Sequence, residues 1–131
     1  MFKKLLLATI AIFVAWEILD FVIHGVILQS TYASQPELWR SQEDMKMGLM
    51  VFVVLVSALC FAYLYGAFVG NKSLATAVKF SLIFGIGTGI GMGYGTYSVQ
   101  PIPYHMALVW FLGSVVECLV AGVLVGLIIK E

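Results

Sequence analysis

Four long apolar runs dominate this sequence, at residues 5–28, 47–69, 74–97 and 103–129. Each reaches the roughly 20 residues that a helix needs to cross the hydrocarbon core of a bilayer. Together they use most of the 131 residues, so no extramembrane domain is left over. Composition agrees, with 62% hydrophobic and only 11% charged residues, against about 25% charged in a soluble domain. So few charges cannot coat a globule of this size, and so small a core cannot hide this much apolar surface. Seven basic residues balance seven acidic ones, and no basic stretch is long enough to track phosphates, which excludes a nucleic-acid partner. The expectation is an all-α integral membrane protein, residues 1–131 forming a single four-helix transmembrane bundle in the bilayer of a bacterial inner (plasma) membrane.

The connections carry matching signals. Gly70-Asn71-Lys72-Ser73 is a tight turn, with Gly70 suited to a helix end and Ser73 to the next cap. Pro101 and Pro103 separate the third run from the fourth, and proline is tolerated in a first helical turn. Ser41, followed by Glu43 and Asp44, reads as an N-cap with acids in the first turn, which predicts a second helix starting just before Met45. The first loop, residues 29–46, is the long one, and predicts a short helix or turn on the membrane surface with Trp39 at headgroup depth. Lys3 and Lys4 before Leu5-Leu6-Leu7 are like a secretory leader. The apolar run is too long for one, contains Glu17 and Asp20, and is followed by no small-residue cleavage site, so it reads as an uncleaved span. Lys3, Lys4, Lys72, Lys79 and Lys130 fall on one side, Arg40 and Lys46 on the other. Positive charge favours the cytoplasm, so both termini are expected there.

Five acidic or histidine residues lie inside the runs: Glu17, Asp20 and His24 in the first, His105 and Glu117 in the fourth. An ionisable side chain in the bilayer centre costs about 2.5–3.5 kcal/mol on insertion scales and marks a functional patch or an internal contact. Glu17, Asp20 and His24 are spaced i, i+3, i+7, a stripe on one helical face, and Glu17, Asp20 and Glu117 are the candidates for a polar network or for proton or ion coupling. Glu17 is also placed to hydrogen-bond Ser114 or Tyr63 as simple helix glue. Levelling His24 with His105 in antiparallel helices leaves the two glutamates about 7 Å apart in depth. At that level Asp20, His24 and His105 form a 2-His-1-carboxylate set suited to a metal ion, and His24 with His105 is an axial pair for a b-type haem. Hydrogen bonding to a carboxylate or to interfacial water is the competing role for both histidines. Cys60 and Cys118 read as small apolar packing residues, and no nucleophile–base set suggests an enzyme.

The third run carries glycine at every second position from Gly85 to Gly95. On a helix these form two rows, Gly85, Gly89 and Gly93 on one face and Gly87, Gly91 and Gly95 on another, and small-xxx-small rows let backbones approach closely. The expectation is a closely packed third helix approached on two sides, within the bundle or between subunits. The fourth run has its own row in Ser114, Cys118, Gly122 and Gly126.

The order of features resembles the DUF1761-type family of small four-span bacterial membrane proteins. The likeness rests on the polar-spotted first span and on an aromatic outer loop ending Leu38-Trp39-Arg40. It extends to the charged stretch Ser41-Gln42-Glu43-Asp44-Met45-Lys46, the Gly-rich third span and the Trp110-to-Gly126 fourth span. The resemblance implies a four-span membrane fold and no known activity. Three functions fit the residues: a structural or accessory subunit of a homo-oligomer or larger membrane complex, a proton- or ion-coupled small transporter using Glu17 and Asp20, and a metal- or haem-binding subunit using His24 and His105. The first is the leading expectation.

Overall fold

The computed structural model describes residues 1–130, and no strand occurs among them. Four helices are long and apolar enough to cross a membrane: Phe2–Ile27, Met47–Phe68, Leu74–Val99 and Tyr104–Ile128, here the first to fourth spans. Ser73 caps the third span by accepting the Thr76 backbone N–H at 3.1 Å. Pro103, extended at φ −61° and ψ 146°, sets the start of the fourth. The second span begins at Met47, not before Met45. Ser41 stands instead before a separate single turn, Gln42–Asp44, which it does not cap with its side chain; its hydroxyl donates to the Asp44 carboxylate at 3.1 Å. Met45 is extended after that turn, with φ −67° and ψ 132°, and breaks continuity with the span.

The long loop folds into a short helix, Gln29–Ser34, and a single turn at Pro36–Leu38. Two of the spans widen into π-helical turns on this loop face, at Phe21–Ile27 in the first and Gly91–Gly95 in the third. Such turns are rare and recur at functional positions. The opposite face carries both termini, where the Lys4 ammonium donates to the Lys130 carbonyl at 3.2 Å.

Neighbours in sequence pack as neighbours in space, first span on second and third on fourth, and the first span also packs on the fourth. The main core lies toward the termini face, around Ala8, Ile12, Trp16, Phe61, Tyr65 and Val125. There the second span reaches the third through rings, Phe61 against Phe80 and Phe84 at 5.5 and 5.4 Å. A smaller cluster of Ile23, Leu28, Ile102, Met106 and Ala107 lies under the long loop.

The third and fourth spans meet backbone to backbone. A β-carbon on Gly85 would stand 2.9 Å from the Cys118 β-carbon, one on Gly89 2.9 Å from that of Ser114, and one on Gly126 2.9 Å from that of Ala77. On Gly122 it would run into the Ser81 side chain, and on Gly93 into the Ala107 carbonyl. The seam therefore pairs Ala77 with Gly126, Ser81 with Gly122, Gly85 with Cys118 and Gly89 with Ser114. Each step moves four residues up one helix and four down the other, so the register is kept along the whole contact. Lipid is as apolar as a side chain, so such helices associate by close van der Waals contact, which small residues permit. The second glycine row differs. Gly87 and Gly91 have open space where side chains would stand, and Gly95 meets only the Ile90 carbonyl of its own span at 4.0 Å.

The contrast between rows is measurable. Gly85→Ala presses on the Cys118 β-carbon and the Val115 backbone, neither of which can swing away, and is expected to lower unfolding stability by about 1–3 kcal/mol. Gly87→Ala meets nothing and is expected to leave stability unchanged or slightly raised, since alanine is the better helix former. Reversible denaturation of the two variants in mixed micelles compares them directly.

Candidate functional site

The seam between the first and fourth spans is polar where the other is glycine-lined. The Trp16 indole N–H donates to the backbone carbonyl of Glu117 at 2.7 Å. One turn nearer the loop face, the Asp20 and Glu117 carboxyls come within hydrogen-bonding reach of each other. An ionised carboxylate only accepts, so a bond between two carboxyls requires a proton on one of them. Farther along, Ile23 fills the hollow at Gly113, where an added β-carbon would stand 2.9 Å from the Ile23 Cδ1. Trp16, Asp20 and Ile23 thus hold the first span against one stretch of the fourth.

Glu17 lies beside this ladder. Glu17, Asp20 and Glu117 are all half-buried. The Oε1 atoms of Glu17 and Glu117 are shut away from solvent with no hydrogen-bond partner. Ser114 is pressed against Gly89, and Tyr63 is exposed beside Phe68, so neither serves Glu17 as the helix glue expected from the sequence. Glu117 finds its partner in Asp20, one turn above Glu17.

That choice of partner sets the depth of the histidines. With Asp20 against Glu117, antiparallel counting puts His24 opposite Gly113. His105 then stands eight residues farther out, about 12 Å along the helix. The level pair of histidines anticipated from the sequence does not form. The loop helix spans the gap instead. Its Thr31 hydroxyl bonds His105 Nε2 at 2.7 Å, and Tyr32, the next residue, bonds His24 Nδ1 at 2.6 Å. The Trp110 indole N–H donates to the same Tyr32 oxygen at 2.8 Å. Trp39 stands edge-on to Tyr32 and Trp110, with ring centroids 4.9 and 6.3 Å away, and its indole N–H is enclosed without a partner. Gln35 donates to the Pro101 carbonyl at 3.3 Å, tying the long loop to the third loop.

The bonds assign protons. An indole N–H only donates, so the Tyr32 oxygen accepts from Trp110. Its own hydroxyl proton finds an acceptor in His24 Nδ1, which places the His24 proton on Nε2. Burial, and to a smaller degree the charge of Asp20, pushes the Tyr32 phenol above its ordinary range, while the Trp110 bond pulls the other way.

Thr31, Tyr32 and Trp110 carry no signal as lone residues of a polar loop and an apolar span. Two histidines without a carboxylate at their own depth were the signal that hydroxyls between them would be recruited. The residues do not fit a metal ion: among the described residues, no group of three or more His, Cys, Asp and Glu side chains converges to hold one. His24 Nδ1 and His105 Nε2 are both taken up by the loop helix. Cys60 is exposed and Cys118 buried, both as free thiols. No family model, curated protein or solved structure matches this chain.

A raised phenol stabilises the folded loop at all pH values below the ordinary tyrosine range near 10. That contribution is lost as pH climbs through the higher folded value. Subtracting the alkaline absorbance titration of Tyr32→Phe from that of the parent should isolate a phenol that ionises above 10. Trp110→Phe should move that component higher still, because the bond favouring phenolate is gone. A difference component at or below 10 contradicts the burial of Tyr32.

Proposed function

We propose that this chain is a structural or accessory subunit of a bacterial inner membrane, acting as a homo-oligomer or inside a larger membrane complex, with both termini in the cytoplasm. The observation that carries this reading is the open row of Gly87 and Gly91, where an added β-carbon would meet nothing within the chain. The covered glycine row of the same span lets the fourth span approach closely, and the open row offers the same close approach to a helix of another chain. The cytoplasmic placement rests on Lys3, Lys4, Lys72, Lys79 and Lys130 gathering at the termini side. Kinship with the DUF1761-type family belongs to the same reading and brings no activity with it.

The carboxyl pair favours a second reading, a small proton- or ion-coupled carrier with Glu17 and Asp20 as coupling groups. Asp20 and Glu117, within hydrogen-bonding reach of each other, are placed to exchange a proton without moving a helix.

Native mass measurement after extraction in mild detergent tests the first reading. The expected result is a multiple of the 14.3 kDa chain, or that chain with stoichiometric companions. Gly87→Leu, which puts bulk on the open row without touching the rest of the chain, is expected to loosen the assembly. A lone chain under every mild condition contradicts subunit function. For the carrier, proton or cation flux into liposomes should be lost in Glu17→Gln, and unchanged flux in that variant eliminates it.

A further inference from the structure

Both histidines of the chain end on one short helix, at consecutive residues, one from the first span and one from the fourth. That helix, Gln29–Ser34, has six residues and no side-chain cap, too short to persist without outside contacts. Its seat on the bundle therefore depends on what Thr31 and Tyr32 hold.

The two attachments differ in how they respond to a proton. A threonine hydroxyl donates and accepts, so Thr31 keeps His105 whether that ring is neutral or charged. Tyr32 has less freedom. Its oxygen accepts Trp110, and its single proton goes to His24 Nδ1. An imidazolium carries a proton on that nitrogen, which leaves the Tyr32 proton facing another donor. Asp20, one turn deeper on the same span, is the charged group that acts on the His24 ring. The other elements around the ring contribute Tyr32 from the loop helix and, through Tyr32, the uncharged Trp110. Glu117 is engaged with Asp20, and His105 with Thr31.

We propose that His24 is a proton-operated clasp: neutral, it takes the Tyr32 hydroxyl proton and holds the loop helix on the bundle, and protonated, it turns to Asp20 and lets the helix go. One proton enters from water at the loop face and rests on His24. Asp20, one turn away on the same span, is the group to which the imidazolium turns. The state of the loop is thereby coupled to the carboxyl pair in the membrane. The clasp stands whether or not the chain assembles with others.

Amide exchange of residues 29–34, followed by mass spectrometry between pH 8 and 5 and corrected for intrinsic rates, reads the clasp. In the parent chain, protection is expected to fall roughly tenfold, the loss of one well-held hydrogen bond, between the two ends of that pH range. His24→Gln offers an amide oxygen to Tyr32 at every pH, so its protection should stay high and flat. His105→Gln should keep the step, Tyr32→Phe should be poorly protected at both ends, and Asp20→Asn should move the step to lower pH. A flat parent profile overturns the clasp, and so does a step that survives in His24→Gln. If His24→Gln does not fold, His105→Gln and Tyr32→Phe decide alone: a lost step in the first, or a retained one in the second, overturns the clasp.

Discussion

The close approach of Asp20 to Glu117 goes with one register of the first span on the fourth. Hydrocarbon offers no competing partner, so the two carboxyls must meet something within the protein. Trp16 on the Glu117 carbonyl and Ile23 in the hollow of Gly113 reinforce the same register. Once it is set, His24 and His105 cannot share a level, and a bridge has to come from the loop. The Thr31 and Tyr32 attachments are consequences of that one offset. A shift of a single turn would bring Glu17 to Glu117 and pull Thr31 and Tyr32 away from His105 and Trp110.

The bundle thus has two seams built on different physics. The third and fourth spans touch through Gly85, Gly89, Gly122 and Gly126, where no polar side chain is needed and shape alone sets the match. The first and fourth spans touch through groups that titrate. The glycine seam tolerates no added atom. The carboxyl seam depends on protonation, because two carboxyls bond only while one of them holds a proton. The fourth span belongs to both, with Cys118 on one side and Glu117 on the other. It is the rigid element against which the first span and the loop are read.

Four long apolar runs were enough to locate the spans, because length and hydropathy depend on the bilayer and not on neighbours. The alternating glycines announced two helical faces, but only packing tells which is used: Gly85, Gly89 and Gly93 are covered, whereas Gly87 and Gly91 are open. The stripe of Glu17, Asp20 and His24 was legible from its spacing. Its partners were not, since pairing across spans turns on register, and register follows from side-chain fit summed along a whole interface. Choosing Asp20 over Glu17 as the mate of Glu117 moves everything by one turn, a distance too small for counting residues to resolve. The apolar run placed the second span at 47–69, and only the cap reading at Ser41 differs: its hydroxyl bonds the Asp44 carboxylate of an isolated turn in place of capping the span.

The pairing of consecutive spans has a consequence for biogenesis. The first two helices form one hairpin and the last two another, so each half finds its mate as soon as the ribosome has delivered the next stretch of chain. The final helix docks on the first across the length of the chain, and only there does Glu117 come to the acids of the leading helix. An insertion machinery that shelters the early hairpin until then would spare those acids from hydrocarbon, and a chain stalled before its last helix would display them as a mark of incompleteness.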